Sequence, residues 1–261
     1  MNAISKYGAF ARIGARLAAS DRGELYGRML FFAVILGVFS ALWRAAAEAG
    51  LPLAVEPATL VWYLAATEWI LLSPAPVHVE IEGEIRRGDI ACQLVRPFSY
   101  VAAAFAQGIG RLAVRAPLLA VVACGGAFAV TGRVPSAHVF ALIVPFGLAA
   151  MLVIHGLYIV TGLAAFWFGD VSPLFWIWQK LLFILGGLML PLTIYPDWMQ
   201  RVAEYTPFPY LLARPASFVM GGDAGGVWNL TWHLAVWGLV IALAANTLFA
   251  RAVRSLHVNG G

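Results

Sequence analysis

The chain has 261 residues, of which 62% are hydrophobic and only 11% are charged, and its mean hydropathy is +0.83. Soluble domains carry about 25% charged residues, so this composition excludes an ordinary soluble protein. The apolar segments are continuous and lack the alternation of a transmembrane β-barrel. Backbone polar groups in lipid must be satisfied within their own segment. The predicted fold class is therefore all-α, a polytopic membrane protein with about six transmembrane helices in a single domain over residues 1–261.

The net charge of +4 would fit a nucleic-acid-binding protein if the chain were soluble. Here the basic residues lie beside apolar segments, where they are typical topology signals, so no nucleic-acid partner is predicted. The two cysteines, Cys92 and Cys124, lie in no C-x-x-C motif and predict neither a disulfide framework nor a metal site.

The N-terminal segment, residues 3–20, has the pattern of an amphipathic helix. Ile13 and Leu17 fall on one helical face, with Arg12 and Arg16 roughly opposite. This pattern predicts a helix that lies in the lipid headgroup region, and a polar leader to the first span is the alternative.

Six spans follow in chain order. They are predicted at residues 29–43, 57–72, 111–131, 138–168, 174–190 and 228–249. Arg111 and Arg115 interrupt a longer apolar stretch, so the third span is predicted to start near them, with residues 98–110 at the interface. Residues 138–168 exceed the roughly 20 residues that one crossing requires, which predicts a tilted or protruding helix.

The segment between the last two spans, residues 191–227, contains five prolines and cannot form one straight helix. Two short helices are predicted, at residues 196–205 and 210–220, and each is too short to cross a bilayer. The segment is therefore predicted to be re-entrant.

Basic residues give the orientation. With both termini in the cytoplasm, only Arg44, Arg133, Arg201 and Arg214 of the seventeen lysines and arginines fall on the outer side, which leaves thirteen inside. This bias predicts that residues 77–97 form a cytoplasmic loop and that residues 191–227 are extracytoplasmic.

Common catalytic motifs are absent. The sequence has no G-x-x-x-x-G-K-[ST] phosphate loop and neither the H-E-x-x-H nor the G-x-S-x-G signature, so the chain is predicted not to be an enzyme and to hold no cofactor itself. Glu68, His155 and Lys180 are the ionisable candidates within spans, and such residues are functional candidates by default. The alternatives are that Glu68 pairs with a nearby arginine and that His155 is a hydrogen-bonded packing residue.

Residues 77–97 are the most polar stretch in the chain. Gly88 breaks this stretch, and Asp89 is placed to cap a short helix that carries Ile90 and Leu94. A short charged helix on the inner face could dock a partner protein, and a solvated connector is the alternative.

Two motifs carry a resemblance to a known family. The G-D-I-x-x-x-L-x-R-P run at 88–97 and the G-G-L-x-x-P-L-x-x-x-P-x-W run at 186–198 resemble ABC-2 type permeases of ATP-binding-cassette exporters, most closely the viologen-exporter-like branch. The resemblance covers nearly the whole chain. It implies a dimer of identical or related permeases in a bacterial inner membrane, coupled to a separate ABC ATPase subunit that binds ATP and Mg.

The resemblance leads to two predicted sites. The ATPase-coupling residues are Glu84, Arg86, Arg87, Asp89, Ile90, Leu94 and Arg96. The outer gate consists of Pro191, Pro196, Trp198 and Pro207. The predicted function is the permease subunit of an ABC exporter. The alternatives are an ATP-independent secondary carrier or channel, and an intramembrane enzyme that uses His155 or Glu68.

Overall fold

The computed structural model describes residues 3–94, 97–221 and 224–255, and every regular element in these ranges is a helix. Five helical segments are long and apolar enough to cross a membrane: Arg22–Glu48, Pro57–Arg87, Tyr100–Thr131, Ala137–Phe168 and Gly226–Arg254. The chain is therefore an all-α, multi-pass membrane protein, as predicted.

The first two helices, α1 (Ala3–Ser20) and α2 (Arg22–Glu48), meet at Asp21. The Asp21 carboxylate accepts a hydrogen bond from the Glu24 backbone amide at 3.1 Å and so caps α2. Ile13 and Leu17 of α1 are about half exposed, at 46% and 47%. The helix itself is confirmed, and its position in the headgroup region stays a prediction.

The centre of the bundle is α3 (Pro57–Leu72), in which every residue from Leu60 to Leu71 is buried. Residues 73–76 bend the chain, and helix continues as α4 (Val77–Arg87) and α5 (Ile90–Leu94). The polar stretch predicted as a loop is thus largely helical. Its first turn is not a solvated connector, because Val77, His78 and Ile81 are buried against the bundle. Gly88 ends α4 with a φ of +78°.

One helix, α6 (Tyr100–Thr131), runs for 32 residues, so the helix itself begins well before Arg111, and the start of the membrane crossing near Arg111 stays a prediction. At 1.5 Å per residue α6 is about 48 Å long. The two arginines do not interrupt it, because carboxylates from α2 and α4 pair with both of them. The next helices are α7 (Ala137–Leu163) and the short α8 (Ala165–Phe168), which together match the predicted long fourth span.

The predicted fifth span is shorter than expected. Helix α9 (Ser172–Leu185) has 14 residues, and the prediction that it extends to Leu190 is wrong. The reason is the pair Gly186 and Gly187. Gly187 adopts a φ of +63°, a left-handed conformation that residues with a Cβ rarely adopt, and the chain leaves the helix there.

The proline-rich segment consists of short pieces. They are a 3₁₀ turn (Leu192–Ile194), α10 (Asp197–Glu204), α11 (Phe208–Leu211), α12 (Ala213–Ala216) and a second 3₁₀ turn (Ser217–Met220). Helix α10 confirms the predicted helix at 196–205, whereas the helix predicted at 210–220 is divided at Leu212. The last helix, α13 (Ala224–Ser255), packs mainly along α7.

Candidate functional site

The predicted coupling residues from Glu84 to Leu94 lie on α4, on α5 and at the bend between them, at one end of the bundle. Four of them form polar contacts there. Tyr100 of α6 donates a hydrogen bond to Glu84 Oε2 at 2.7 Å. Arg87 Nε donates to Asp89 Oδ2 at 2.8 Å. Arg86 pairs with Glu82 at 3.2 Å, one helical turn away. The side chains of Arg86 and Arg87 are 63% and 65% exposed, so both can reach a partner protein.

The structure differs from the predicted coupling helix in two details. Asp89 takes its hydrogen bond from Arg87 rather than from a backbone amide of α5, so its carboxylate closes the bend at Gly88. Ile90 is only 2% exposed, so its side chain is covered by the bundle, and its role in contacting a partner stays a prediction. Its side chain belongs to the apolar core of the bundle. The side chain of Leu94 and the whole of Arg96 lie outside the described residues.

The same end of the bundle contains ion pairs that sequence reasoning did not identify. Arg111 of α6 pairs with Glu80 of α4 through two hydrogen bonds, of 2.6 Å and 2.7 Å. Glu24 of α2 pairs with Arg28 at 2.9 Å and also with Arg115. Arg111 and Arg115 are nearly buried, at 7% and 5% exposure. The only sequence signal was the presence of two arginines in an apolar stretch, which indicates that carboxylates must lie nearby.

These pairs connect elements that lie far apart in the sequence. Glu80 and Arg111 link α4 to α6, and Glu24 and Arg115 link α2 to α6. Arg28 Nη1 also donates to the Leu72 carbonyl, at the end of α3, at 2.8 Å. The guanidinium groups of Arg111 and Arg115 border a cavity of about 580 Å³. The pairs therefore fix the positions of α2 and α4 relative to α6.

Glycines allow α1 to pack closely against α6. A Cβ atom on Gly110 would lie 1.8 Å from the Ala11 carbonyl oxygen, and one on Gly14 would lie 2.0 Å from that of Gln107. Such distances are shorter than any van der Waals contact, so both positions require glycine. The backbones of α1 and α6 therefore cross at close range, and Phe10 and Phe98 pack beside the crossing with ring centroids 5.0 Å apart.

Near the middle of α3, hydrogen bonds hold the broken end of α9. The Tyr63 hydroxyl donates to the Gly187 carbonyl at 2.5 Å, and the Thr67 hydroxyl donates to that of Leu188 at 2.7 Å. A helix that ends within lipid leaves carbonyl groups without partners, and each would be costly if unsatisfied. Side chains of α3 supply these partners.

The predicted gate residues lie in the segment that follows this broken end. Pro191 is buried and leads into the first 3₁₀ turn, and Pro196 is the residue before α10. Pro207 precedes α11, whereas Trp198 is 61% exposed. A cavity of about 160 Å³ lies between α3 and this segment. The prolines thus separate the short helices, and Trp198 faces away from the bundle.

The two intramembrane candidates occupy different settings. His155 of α7 is fully buried, and its Nε2 lies 3.3 Å from the Ala104 carbonyl oxygen. A Cβ on Gly108 would lie 1.9 Å from the same Nε2, so the imidazole fills the space that this glycine leaves between α6 and α7. This geometry is that of a packing residue. Glu68 of α3 is 3% exposed and borders a cavity of about 320 Å³.

A comparison with protein families finds a match over most of the chain. Residues 59–260 match the family described as "ABC-2 family transporter protein". The match covers the bundle from α3 onward, including the ion pair between α4 and α6 and the proline-rich segment. A comparison with curated proteins gives no significant match.

Proposed function

The chain belongs to the ABC-2 family of transporter proteins, and on this premise we propose that it is the permease subunit of an ABC exporter in a bacterial inner membrane. One observation carries the proposal. The exposed, charged turn formed by α4 and α5 is joined to the long helix α6 by the bidentate Glu80–Arg111 pair. A partner that moves α4 would thereby move a helix that crosses the membrane.

The energy source is a separate subunit. The sequence has no phosphate loop, so ATP and Mg are bound and hydrolysed by a partner ATPase. The positive charges of Arg86 and Arg87 orient this partner on the permease. Leu94 remains the candidate apolar anchor. Charged rim contacts mainly set specificity and association rate, whereas apolar anchors contribute most of the affinity.

The substrate pathway forms between two permease subunits, identical or related. Exposed apolar side chains on α2 and α9 support this arrangement, because they are available to lipid or to a second copy. They include Phe31, Val34 and Val38 of α2, and Ile177 and Ile184 of α9. The proline-rich segment serves as the external gate, with the Gly187 and Leu188 carbonyls held by α3. The viologen-exporter-like branch stays a prediction about the substrate.

Co-purification with the ATPase tests this proposal. A tagged permease is co-expressed with a candidate nucleotide-binding ATPase from the same genome, and the recovered ATPase and its hydrolysis rate in vesicles are measured. We expect the double substitution Arg86→Glu and Arg87→Glu to abolish permease-stimulated hydrolysis, and Leu94→Ala to reduce ATPase recovery. Arg201→Glu, an exposed charge reversal on α10, is the matched control and should change neither.

The second candidate function is an ATP-independent carrier. The observation that favours it is Glu68, a buried carboxyl beside a cavity within the bundle. Normal transport in vesicles that contain the permease but no ATPase would establish the carrier and exclude the coupled exporter.

A further inference from the structure

The polar cavity of about 580 Å³ lies where α1, α2, α4 and α6 meet. Its charged lining residues are Asp21, Glu24, Glu80, Arg111 and Arg115. The volume is within the usual range for a small-molecule site, which is about 300–1,000 Å³. The ion pairs between the helices use only some of these charged groups, and the remaining ones indicate what the cavity can bind.

The two arginines have hydrogen-bond donors without acceptors. The Arg115 side chain is only 6% exposed, and its Nη2 donates to Glu24 Oε2. Its Nη1 is buried and has no hydrogen-bond partner among the described residues. The same holds for Nε of Arg111, whose other two nitrogens donate to Glu80. A buried donor without an acceptor is costly, so oxygen atoms of a ligand beside these guanidinium groups would be stabilised.

The positive charge at Arg115 is also not fully neutralised. Glu24 is shared by two cations, because it pairs with both Arg28 and Arg115. The other carboxylate, Glu80, is the partner of Arg111. One positive charge therefore remains on the Arg28–Glu24–Arg115 cluster, and it favours an anionic group. Guanidinium groups bind phosphate well, because their N–H donors match the geometry of its oxygens.

Asp21 provides the opposite charge in the same cavity. Its carboxylate accepts a hydrogen bond from the Glu24 backbone amide, but it forms no ion pair with any described residue. Asp21 is the residue before α2, and Glu24 lies in the first turn of that helix. The unpaired carboxylate is therefore within one helical turn of the Arg28–Glu24–Arg115 cluster. A ligand that carries both a negative and a positive charge matches this cavity better than a simple anion does.

The α1 side of the cavity is apolar. Leu17 and Ala18 line it, and Leu17 is 47% exposed. Ile13, one turn earlier on the same face of α1, is 46% exposed. A lipid could place its headgroup in the cavity and its acyl chains along this exposed apolar face, as amphipathic helices at a membrane surface do. A soluble phosphate compound would leave the apolar face uncovered.

We propose that this cavity binds the headgroup of phosphatidylethanolamine, a lipid with one phosphate diester and one ammonium group. The phosphate accepts hydrogen bonds from Arg111 and Arg115, and the ammonium group pairs with Asp21. The acyl chains lie along Leu17 and Ile13. The lipid is a bound component that holds α1 and the start of α2 against α6, and this inference does not depend on the proposed transport function.

Equilibrium binding in detergent tests the proposal. The purified full chain in maltoside micelles is titrated with radiolabelled dihexanoyl-phosphatidylethanolamine, and micelles without protein give the background. Dihexanoyl-N-acetylphosphatidylethanolamine lacks the positive charge, dihexanoylglycerol lacks the phosphate, and glycerophosphoethanolamine lacks the acyl chains. We expect saturable binding that the unlabelled lipid displaces. The N-acetyl lipid should compete about tenfold less well, because it loses a charged contact, and the other two compounds should compete weakly or not at all.

Three variants test the roles of single residues. Asp21→Asn preserves the helix cap, since Asn and Asp cap equally well. It should weaken binding of phosphatidylethanolamine about tenfold and should not weaken binding of the N-acetyl lipid. Arg115→Gln should weaken binding of both lipids about tenfold or more. The matched control is Asp170→Asn, because Asp170 is an exposed carboxylate that accepts the Ser172 backbone amide at 2.9 Å and does not line this cavity. Circular dichroism and a single elution peak establish that each variant is folded.

Each result of the competition has a distinct meaning. Absence of saturable binding, or equal competition by dihexanoylglycerol, overturns the headgroup site. Equal competition by the N-acetyl lipid would show a site for any anionic lipid and overturn the role of Asp21. Equal competition by glycerophosphoethanolamine would assign the site to a soluble phosphate compound and overturn the lipid. These measurements need only the wild-type chain, so they decide even if a variant does not fold. They involve no ATPase, so the lipid site and the proposed exporter can fail independently.

Discussion

Arg111 of α6 and Glu80 of α4 form a bidentate ion pair, with Nη1–Oε1 and Nη2–Oε2 distances of 2.6 Å and 2.7 Å. The guanidinium side chain is 9% exposed and the carboxylate side chain 49% exposed. Planar pairing through two parallel hydrogen bonds fixes both the distance and the orientation of the two helices. The pair thus acts as a rigid link between the charged turn and the helix bundle.

Removal of the Glu80–Arg111 link should uncouple the charged turn from the helix bundle. We expect Glu80→Gln to destabilise the chain by about 1.5–3 kcal/mol, because a nearly buried guanidinium loses its charged acceptor. It should also reduce permease-stimulated ATP hydrolysis more than ATPase recovery. Thermal unfolding in detergent and the vesicle assay measure these effects. Exchange of the two charges in Glu80→Arg with Arg111→Glu should restore part of the loss.

An exposed pair provides the control. Arg133 and Glu56 are 2.7 Å apart, but their side chains are 71% and 57% exposed. Solvent screens such pairs, so Glu56→Gln should cost no more than about 1 kcal/mol. Equal losses in Glu80→Gln and Glu56→Gln would contradict the role of the Glu80–Arg111 link.

The number of crossings can be tested with the chain's own cysteines. Cys92 of α5 and Cys124 of α6 are both exposed. In a Cys124→Ala background, Cys92 should react with an impermeant thiol reagent only after the cells are permeabilised. A cysteine at Tyr205, which is 88% exposed, in a chain lacking both native cysteines should react in intact cells.

This pair of labels decides whether the 14-residue α9 crosses the membrane. The proline-rich segment lies on the outer side only if α9 and the residues after it reach that side. Protection of Tyr205→Cys in intact cells would place the segment inside and contradict the six-crossing topology.

The broken end of α9 gives a third prediction. Tyr63→Phe and Thr67→Val remove the donors to the Gly187 and Leu188 carbonyls while keeping most of the side-chain volume. Each leaves a buried carbonyl unsatisfied, so each should destabilise the chain by about 1–3 kcal/mol. Thr231→Val is a suitable control, because its exposed hydroxyl donates within its own helix, to the Val227 carbonyl. A smaller loss in the α3 variants than in this control would argue against the anchoring role.

Much of the fold was predictable from hydropathy, because long apolar segments in lipid can only be helices. The end of α9 was not, since the two glycines at 186 and 187 read equally well as part of an apolar span. The pairing of Arg111 with Glu80 also could not be predicted from the sequence. Periodicity identifies the apolar face of a helix. The partner of Arg111 is 31 residues away in the sequence, and which residue it is depends on how α4 and α6 pack.

The predicted sites also combine features that the sequence predicts with features that depend on how the helices pack. Exposure of Arg86 and Arg87 followed from their charge, whereas the burial of Ile90 depends on the angle between α4 and α5. An amphipathic pattern shows that one side of a short helix is apolar, and a bundle or a partner protein can cover that side equally well. Glu68 was identified as an ionisable residue within a span, but the cavity beside it is formed by residues of four helices.

The crossing of α1 and α6 provides a fourth prediction, because two glycines of α6 differ sharply in their surroundings. A Cβ at Gly110 would meet the Ala11 carbonyl oxygen at 1.8 Å, whereas one at Gly125 would meet nothing within 4 Å. Gly110→Ala should displace α1 and cost about 1–3 kcal/mol, and Gly125→Ala should be neutral or stabilising. Hydrogen exchange should rise across α1 in the first variant alone. Unchanged exchange there would mean that α1 does not depend on this contact.

The last prediction separates a structural role from a binding role at the charged turn. Ile90 is 2% exposed within the apolar core, so Ile90→Ala should leave a cavity and cost about 2–5 kcal/mol. Ile90→Val removes one methylene group and should cost only about 0.5–1.5 kcal/mol. If Ile90 is purely structural, the ATPase recovered per folded permease should be unchanged in Ile90→Val, and it should fall in Ile90→Ala only as the folded fraction falls. Arg87→Glu should show the opposite pattern, with normal thermal unfolding and reduced stimulation of hydrolysis, because its side chain is 65% exposed. Loss of ATPase binding in Ile90→Val at full stability would show that Ile90 leaves the core in the complex and contacts the partner directly.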